Sequence, residues 1–451
     1  MGRLATVVLA LGLAFGGTVP IALAADAEFG EPSASSTFGQ SITFTQPVDL
    51  ASPVTRVEAR LRFADARGPL VAELPPPSGT GRQTLRYTLE AAGGFGLAPN
   101  TPVRASFRVY HGANDRTGTD GPEVRFVYTD DRFEWKTLTG DVLRLHWYEG
   151  DDAFGQRALD IGEEAVREAS EFLGVTEDRP LDFFIYAETE PFFDAIGTGS
   201  PENIIGQAHS DIRTMFGLVP PDTIDDARVR MLVPHELVHL VFNTAVENPY
   251  HQPPTWLNEG LAVYLSERYS ADYRFVVEDA ARNGTLYPLS ALSGQFPRTT
   301  LISNLAYGEG VSAVDYLVRT YGEDALAQLI RSYAEGRTDE EAFTDAIGIG
   351  VEAFGDAWLA DLGAEQPERF GPQPVPEGPQ PPGWGDDPAP ATPATPAAGS
   401  PGAPGPPPSG TPEPEAPAAT GGPGAAALLI LVVALVAGAG LVAYALRRRR
   451  S

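Results

Sequence analysis

The chain has 451 residues and carries 32 Lys+Arg against 60 Asp+Glu, a formal charge of −28, which argues against nucleic acid as a partner and disfavours anionic surfaces. The acidic residues are spread along the chain rather than run together, the pattern of a solvated acidic surface. With no cysteine, neither a disulfide framework nor thiolate ligation is available, so a bound metal must be held by His and carboxylate.

Residues 1–24 begin with a single Arg3, continue through an apolar run, and end Ala22-Leu23-Ala24, the small-residue pattern of a secretory signal peptide. A short linker, 25–37, follows. From 38 to 131 the texture is period-two alternation, as in Val57-Ala59-Leu61-Phe63 and Val103-Ala105-Phe107-Val109. Turn-forming clusters such as Pro75-Pro76-Pro77-Ser78-Gly79 separate these runs, so five or more short strands predict an all-β immunoglobulin-like sandwich. Its expected role is that of a spacer or folding partner rather than a binding module.

Residues 132–364 mix elements differently. Residues 142–148 read as a strand, 152–173 as a helix, 181–187 as a strand and 188–196 as a short helix. Beyond 226 the pattern is nearly all helical, with segments at 273–282, 301–321, 324–334 and 340–362, an α+β layout that places a cleft between a small sheet and a helical half. Pro234 predicts a kink, or a helix that begins there.

The chemistry concentrates in His235-Glu236-Leu237-Val238-His239 and, nineteen residues on, Glu259 within Trp256-Leu257-Asn258-Glu259-Gly260. On a helix, positions i and i+4 share a face, so both imidazoles can reach one ion. A second helix, carrying Leu257, Leu261, Val263 and Leu265 with Thr255 as its N-cap, can supply the carboxylate of Glu259. Two imidazoles and one carboxylate leave a fourth tetrahedral position open, the arrangement of a catalytic Zn2+. Glu236 lies about 100° around the helix from His235 and can face that open position without being a ligand. It is the expected general base, with Glu259 as base the weaker assignment. A donor is needed for the oxyanion, and Tyr307, His251 and His209 are the candidates in that order. His209 falls in a segment that predicts an edge strand for substrate. His146 alternates with Arg144 and Tyr148 opposite Leu143, Leu145 and Trp147 and reads as structural.

These residues resemble the gluzincin metallopeptidases, most closely the bacterial families grouped as peptidase MA-like, over roughly 132–364. The resemblance implies a thermolysin-like zincin catalytic domain in which His235, His239 and Glu259 bind zinc and Glu236 is general base and acid. It also implies that Tyr307, in Ala306-Tyr307-Gly308-Glu309-Gly310, steadies the oxyanion. The exopeptidases of that group carry a Gly-x-Met-Glu-Asn type motif on the edge strand, and 206–219 has nothing similar. The thermolysin-type Asp motif that orients a ligand histidine is also missing after Glu259.

Residues 365–424 are dominated by Pro, Ala and Gly and read as an unfolded spacer. Residues 425–446 are uncharged and long enough to span a bilayer, and 447–451 form a basic tail expected in the cytoplasm. Pro417-Ala418-Ala419-Thr420-Gly421 also resembles a sortase signal without its leading Leu. The sequence therefore predicts a membrane-anchored zinc peptidase of the bacterial cell envelope, its catalytic domain extracellular, acting on protein or peptide. The alternatives are an inactive metallopeptidase-like envelope binding module, or a zinc hydrolase of cell-wall amides.

Overall fold

The computed structural model describes residues 26–365 apart from 65, 67, 91–96, 113–115, 117, 198–203, 249 and 297–299. The segments expected to be a signal peptide at 1–24, a transmembrane helix at 425–446 and a basic cytoplasmic tail at 447–451 lie outside the described residues, as does all of the expected spacer beyond residue 365. No described helix is long and apolar enough to cross a membrane.

Among the described residues the N-terminal region has nine strands: β1 Ala27–Phe29, β2 Ser33–Thr37, β3 Ser41–Leu50, β4 Arg56–Phe63, β5 Leu70–Leu74, β6 Gly81–Glu90, β7 Thr101–Tyr110, β8 Thr119–Asp120 and β9 Val124–Tyr128. In one sheet β3 lies between β6 and the pair β2 and β1, which share its other edge. In the second the order is β5, β4, β7, with β8 and β9 sharing the far side of β7. All pairings are antiparallel. The expected alternation packs Ile42, Phe44, Val48 and Leu50 in one core cluster with Val57, Ala59, Leu61, Val103, Phe107 and Val109. The expected linker at 25–37 is instead largely strand. Ser33-Ala34-Ser35-Ser36-Thr37 has no apolar face to betray it, and forms because the long β3 offers an unpaired edge.

A mixed five-stranded sheet follows, from β10 Lys136–Thr139, β11 Leu143–Trp147, β12 Leu181–Tyr186, β13 Gly206–His209 and β14 Thr214–Leu218. The order is β10-β11-β12-β14-β13, with β11, β12 and β14 parallel and both edge strands antiparallel. Helix α1 Asp152–Leu173 is N-capped by the Asp151 carboxylate, which accepts from Phe154 N–H, and ends at left-handed Gly174; α2 is Thr189–Ile196. The helical half comprises α3 Ala227–Val246, α4 Thr255–Ser266, α5 Ala271–Asn283, α6 Thr300–Tyr321, α7 Glu323–Ala334, α8 Asp339–Ile347 and α9 Val351–Asp361.

Three local expectations are corrected. Helix α3 starts at Ala227, so Pro234 sits inside it rather than at its start. The cost of its missing N–H is confined to one carbonyl, that of Arg230. Thr255 is the first residue of α4 and Pro254 occupies the cap, a position that needs no N–H. The single helix expected at 340–362 is two, because Gly348 ends α8 in the left-handed region at φ 79°.

The central sheet is buried on both faces. Leu143, Leu145, Trp147, Leu181, Phe183, Ile185 and Met215 share one core with α1, α3 and the helices beyond. Tyr186, Phe192, Ile204 and Phe216 belong to the core of the β-sandwich.

Candidate metal centre

Helix α3 is buried nearly all round, lying between α1 and α4 with the edge strand β13 across it. This is why its sequence reads as a continuous apolar run around the two histidines. The imidazoles of His235 and His239 stand one turn apart with ring centroids 5.0 Å from each other. Helix α4 crosses α3 and brings Glu259 Oε2 to 3.7 Å from His235 Nε2 and 3.5 Å from His239 Nε2. One ligand atom from each of the three lies within 4.8 Å of the others. Tetrahedral zinc with nitrogen and oxygen ligands spaces its ligand atoms about 3.4 Å apart, so the donor set fits such an ion.

The polar atoms at this point have no other use. His235 Nε2, His239 Nε2, Glu259 Oε2 and both Glu236 carboxylate oxygens are buried and find no hydrogen-bond partner among the described residues. A fold that leaves so many converging buried acceptors unpaired carries a cost of several kcal/mol, which a cation would relieve. Burial, helped by the neighbouring His239, holds His235 well below the ordinary imidazole range, and burial holds His239 down to about 4 against the opposing hydrogen bond to Asn258. Burial also raises Glu259 well above the usual carboxylate range, helped by the nearby Glu236. The contacts between Glu259 and the imidazoles are therefore not ion pairs; they bring together three atoms that could hold a metal ion.

Glu236 is pushed up to about 8 by burial, opposed in part by the Ala208 backbone amide. That amide belongs to β13, whose backbone lies close over α3 at Gly206, where a Cβ would stand 2.6 Å from Leu232 Cδ1 and 2.9 Å from Glu236 Cγ. The edge strand and the Glu236 carboxyl thus pack directly against each other. Tyr307, on α6, is buried with its ring centroid 6.3 Å from that of His235 and packs edge-on against Phe296.

The other histidines lie elsewhere. His251 bonds Asp339 at 2.9 Å and stacks on Tyr333. His209 is on β13 as expected, but it is buried against Phe216 and held down to about 4 by that burial. His146 and Arg144 clasp Asp182 on the sandwich-facing side of the sheet. That alternation was legible, whereas burial of the polar face beneath a second domain was not.

Asn258 was missed by sequence reasoning although it lies beside Glu259. Its Oδ1 is 2.9 Å from His239 Nδ1. An amide oxygen only accepts, so Nδ1 carries the proton and Nε2 presents its lone pair to the centre. Tyr273 of α5 was missed as well; its phenol is raised by burial, with Glu267 and Glu259 close by.

Residues 162–364 match the family model of the Peptidase MA superfamily. This part of the chain is similar to the Peptidase MA superfamily. No curated protein matches the sequence. Among solved structures, the chain is similar to an M1 zinc metallopeptidase of Deinococcus radiodurans, at 14% identity over 78% of this chain and 96% of that one, with a TM-score of 0.37. It is also similar to an aminopeptidase N family protein from Idiomarina loihiensis, at 9% identity over 74% of this chain and 75% of that one, with a TM-score of 0.38. The matched segment begins within α1 and ends just past α9, so it holds the whole helical half and every member of the His-His-Glu cluster.

Proposed function

We propose that the protein is a zinc endopeptidase in which His235, His239 and Glu259 hold the metal and Glu236 is the catalytic carboxylate. The convergence of orphaned buried donor atoms on one point carries this reading. When bound, zinc supplies Lewis acidity that brings a water near neutral pKa and polarises the scissile carbonyl. Glu236 accepts the proton of the attacking water and delivers it to the leaving nitrogen. Tyr307 donates its hydroxyl hydrogen to the developing oxyanion. The substrate backbone runs along the outer edge of β13, beside Glu236. Endopeptidase action is favoured because residues 206–219 contain no glutamate to hold a substrate amino group.

The remainder of the proposal rests on sequence. Residues 1–24 export the chain, 425–446 anchor it in the cell membrane, and the catalytic domain faces outward. The N-terminal sandwich is read as immunoglobulin-like because its chain crosses between the two sheets from β3 to β4 and from β6 to β7.

Metal content and casein cleavage, compared between wild type and Glu236→Gln, test the central claim. Stoichiometric zinc in both with cleavage only by wild type is the expected result. Absent zinc refutes the ligand assignment, and zinc without cleavage in either refutes the general peptidase and favours a binding role.

A further inference from the structure

The outward face of the second sandwich sheet runs against the acidity of the chain as a whole. The inward positions of β4 and β7 are taken by Val57, Ala59, Leu61, Val103, Ala105, Phe107 and Val109, so Arg60 and Arg62 of β4 and Arg104 and Arg108 of β7 point away from the core. Strand register then sets Arg62 opposite Arg104, and Arg104 opposite Arg125 of β9. Three arginines stand side by side across three adjacent strands. Like charges placed directly opposite destabilise a sheet, and at the other end of the same face the problem is solved locally. There Asp120 clamps Arg108 with both carboxylate oxygens, and Glu58 lies by Arg56. In the row itself Arg125 reaches Glu123 at 2.8 Å, while Arg62 and Arg104 make no ion pair among the described residues.

A second observation falls on the same sheet. Of the five large hydrophobic side chains that are exposed among the described residues, three are here: Leu70 at 40%, Val71 at 46% and Val127 at 45%. Val71 sits opposite Arg60 and Val127 opposite Pro102, two residue pairs along from Arg104 and Arg125 and so the next pair on the same face. From β5 to β9 the patch is four strands wide, about 14 Å at ordinary strand spacing.

We propose that this face of the β-sandwich docks on an anionic lipid surface, the arginine row meeting headgroup phosphates while Val71 and Val127 enter the interface beside them. Mixed basic and apolar side chains are the composition of surfaces that lie on membranes. A face four strands across with no groove matches a planar partner; a single extended peptide covers only one or two strand spacings. The net charge of −28 does not forbid the contact, because at physiological ionic strength charges beyond about 8 Å are screened and the local row governs. The proposal rests on neither the metal centre nor the membrane span.

The chain has no native cysteine, so single probes can be placed without background. The full chain is mixed with vesicles of phosphatidylcholine, alone or with an equal part of phosphatidylglycerol, carrying a polarity-sensitive fluorophore at Val127→Cys or, on the opposite sheet, at Thr84→Cys. The expected result is a blue shift at the Val127 position with phosphatidylglycerol only, reversed by high salt, with the Thr84 probe silent. Arg62→Gln and Arg104→Gln, which relieve repulsion and leave the fold intact, should each weaken the lipid-bound state about fivefold. No shift, an equal shift in both lipids, or a shift at both probes overturns the proposal. So does a shift with soluble poly-glutamate but none with phosphatidylglycerol, which assigns the face to an acidic polypeptide.

Discussion

At the scale of single residues, the chemistry proposed for the centre follows from burying three candidate ligand atoms, of His235, His239 and Glu259, beside the unpaired carboxyl of Glu236. Glu236→Gln keeps the shape of the carboxyl but cannot take a proton, so cleavage should fall by more than about a hundredfold while zinc stoichiometry stays at wild-type level. Tyr307→Phe should lower kcat by about 10²–10³ with little change in KM, because its donation matters only once the oxyanion forms. An equal rise in KM with kcat intact would make Tyr307 a packing residue. Asn258→Ala should weaken zinc affinity about 10- to 100-fold, read by competition with a chelator, since the proton on His239 Nδ1 is then no longer held in place. The ligands were legible because His at i and i+4 followed by a returning Glu is a local pattern with one economical explanation. Asn258 was hidden because its role depends on the crossing angle of α3 and α4, which no spacing encodes.

At the scale of elements, α4 and α6 meet backbone to backbone, and this contact fixes Tyr307 relative to Glu259. A Cβ on Gly260 would stand 2.3 Å from Gly310 O, which is main chain and cannot swing aside. Gly260→Ala should destabilise the protein by about 1–3 kcal/mol in urea unfolding and lower activity together with it. Next to Gly310 on α6 is Glu309, fully buried and accepting from Tyr287 N–H with both oxygens. Burial pushes it up to about 8 from an ordinary 4.5, despite that hydrogen bond. The folded state therefore binds a proton that the unfolded state has released. Stability from this group is full below pH 4.5 and is lost as pH rises towards 8. Glu309→Gln should match wild type near pH 4.5 and exceed it by a few kcal/mol at pH 8; equal urea midpoints at both pH values would refute this. Strong periodicity made α1 and α6 legible to within a residue. The break at Gly348 was not, because one glycine in a helical pattern is tolerated as often as it terminates.

At the scale of the whole molecule, the sandwich and the catalytic sheet form one structure rather than two joined by a spacer. The sandwich core includes Tyr186, Phe192, Ile196 and Phe216 from the catalytic side. Across the junction Asn100 Nδ2 donates to Asp182 Oδ2 and Thr214 Oγ1, both at 2.9 Å, with Asn100 held in the left-handed region at φ 67°. Tyr186 Oη donates to Asp130, which also grips Arg132. Burial pushes the Asp182 carboxyl up, yet His146, Arg144 and Asn100 together hold it below its ordinary value. Removing residues 26–131 would therefore expose an aromatic face and strip a partner from a buried charge at the same time. Residues 132–365 expressed alone should aggregate or bind hydrophobic dyes, whereas the intact chain should unfold in a single calorimetric transition whose van't Hoff and calorimetric enthalpies agree. Two separable transitions, the upper one retaining the zinc, would mean that the junction is a docking contact and that the metal centre folds without the sandwich. A single transition makes the sandwich a structural partner of the half that holds the His-His-Glu cluster, and explains why Asp182, buried at the junction, is met there by Arg144, His146 and Asn100.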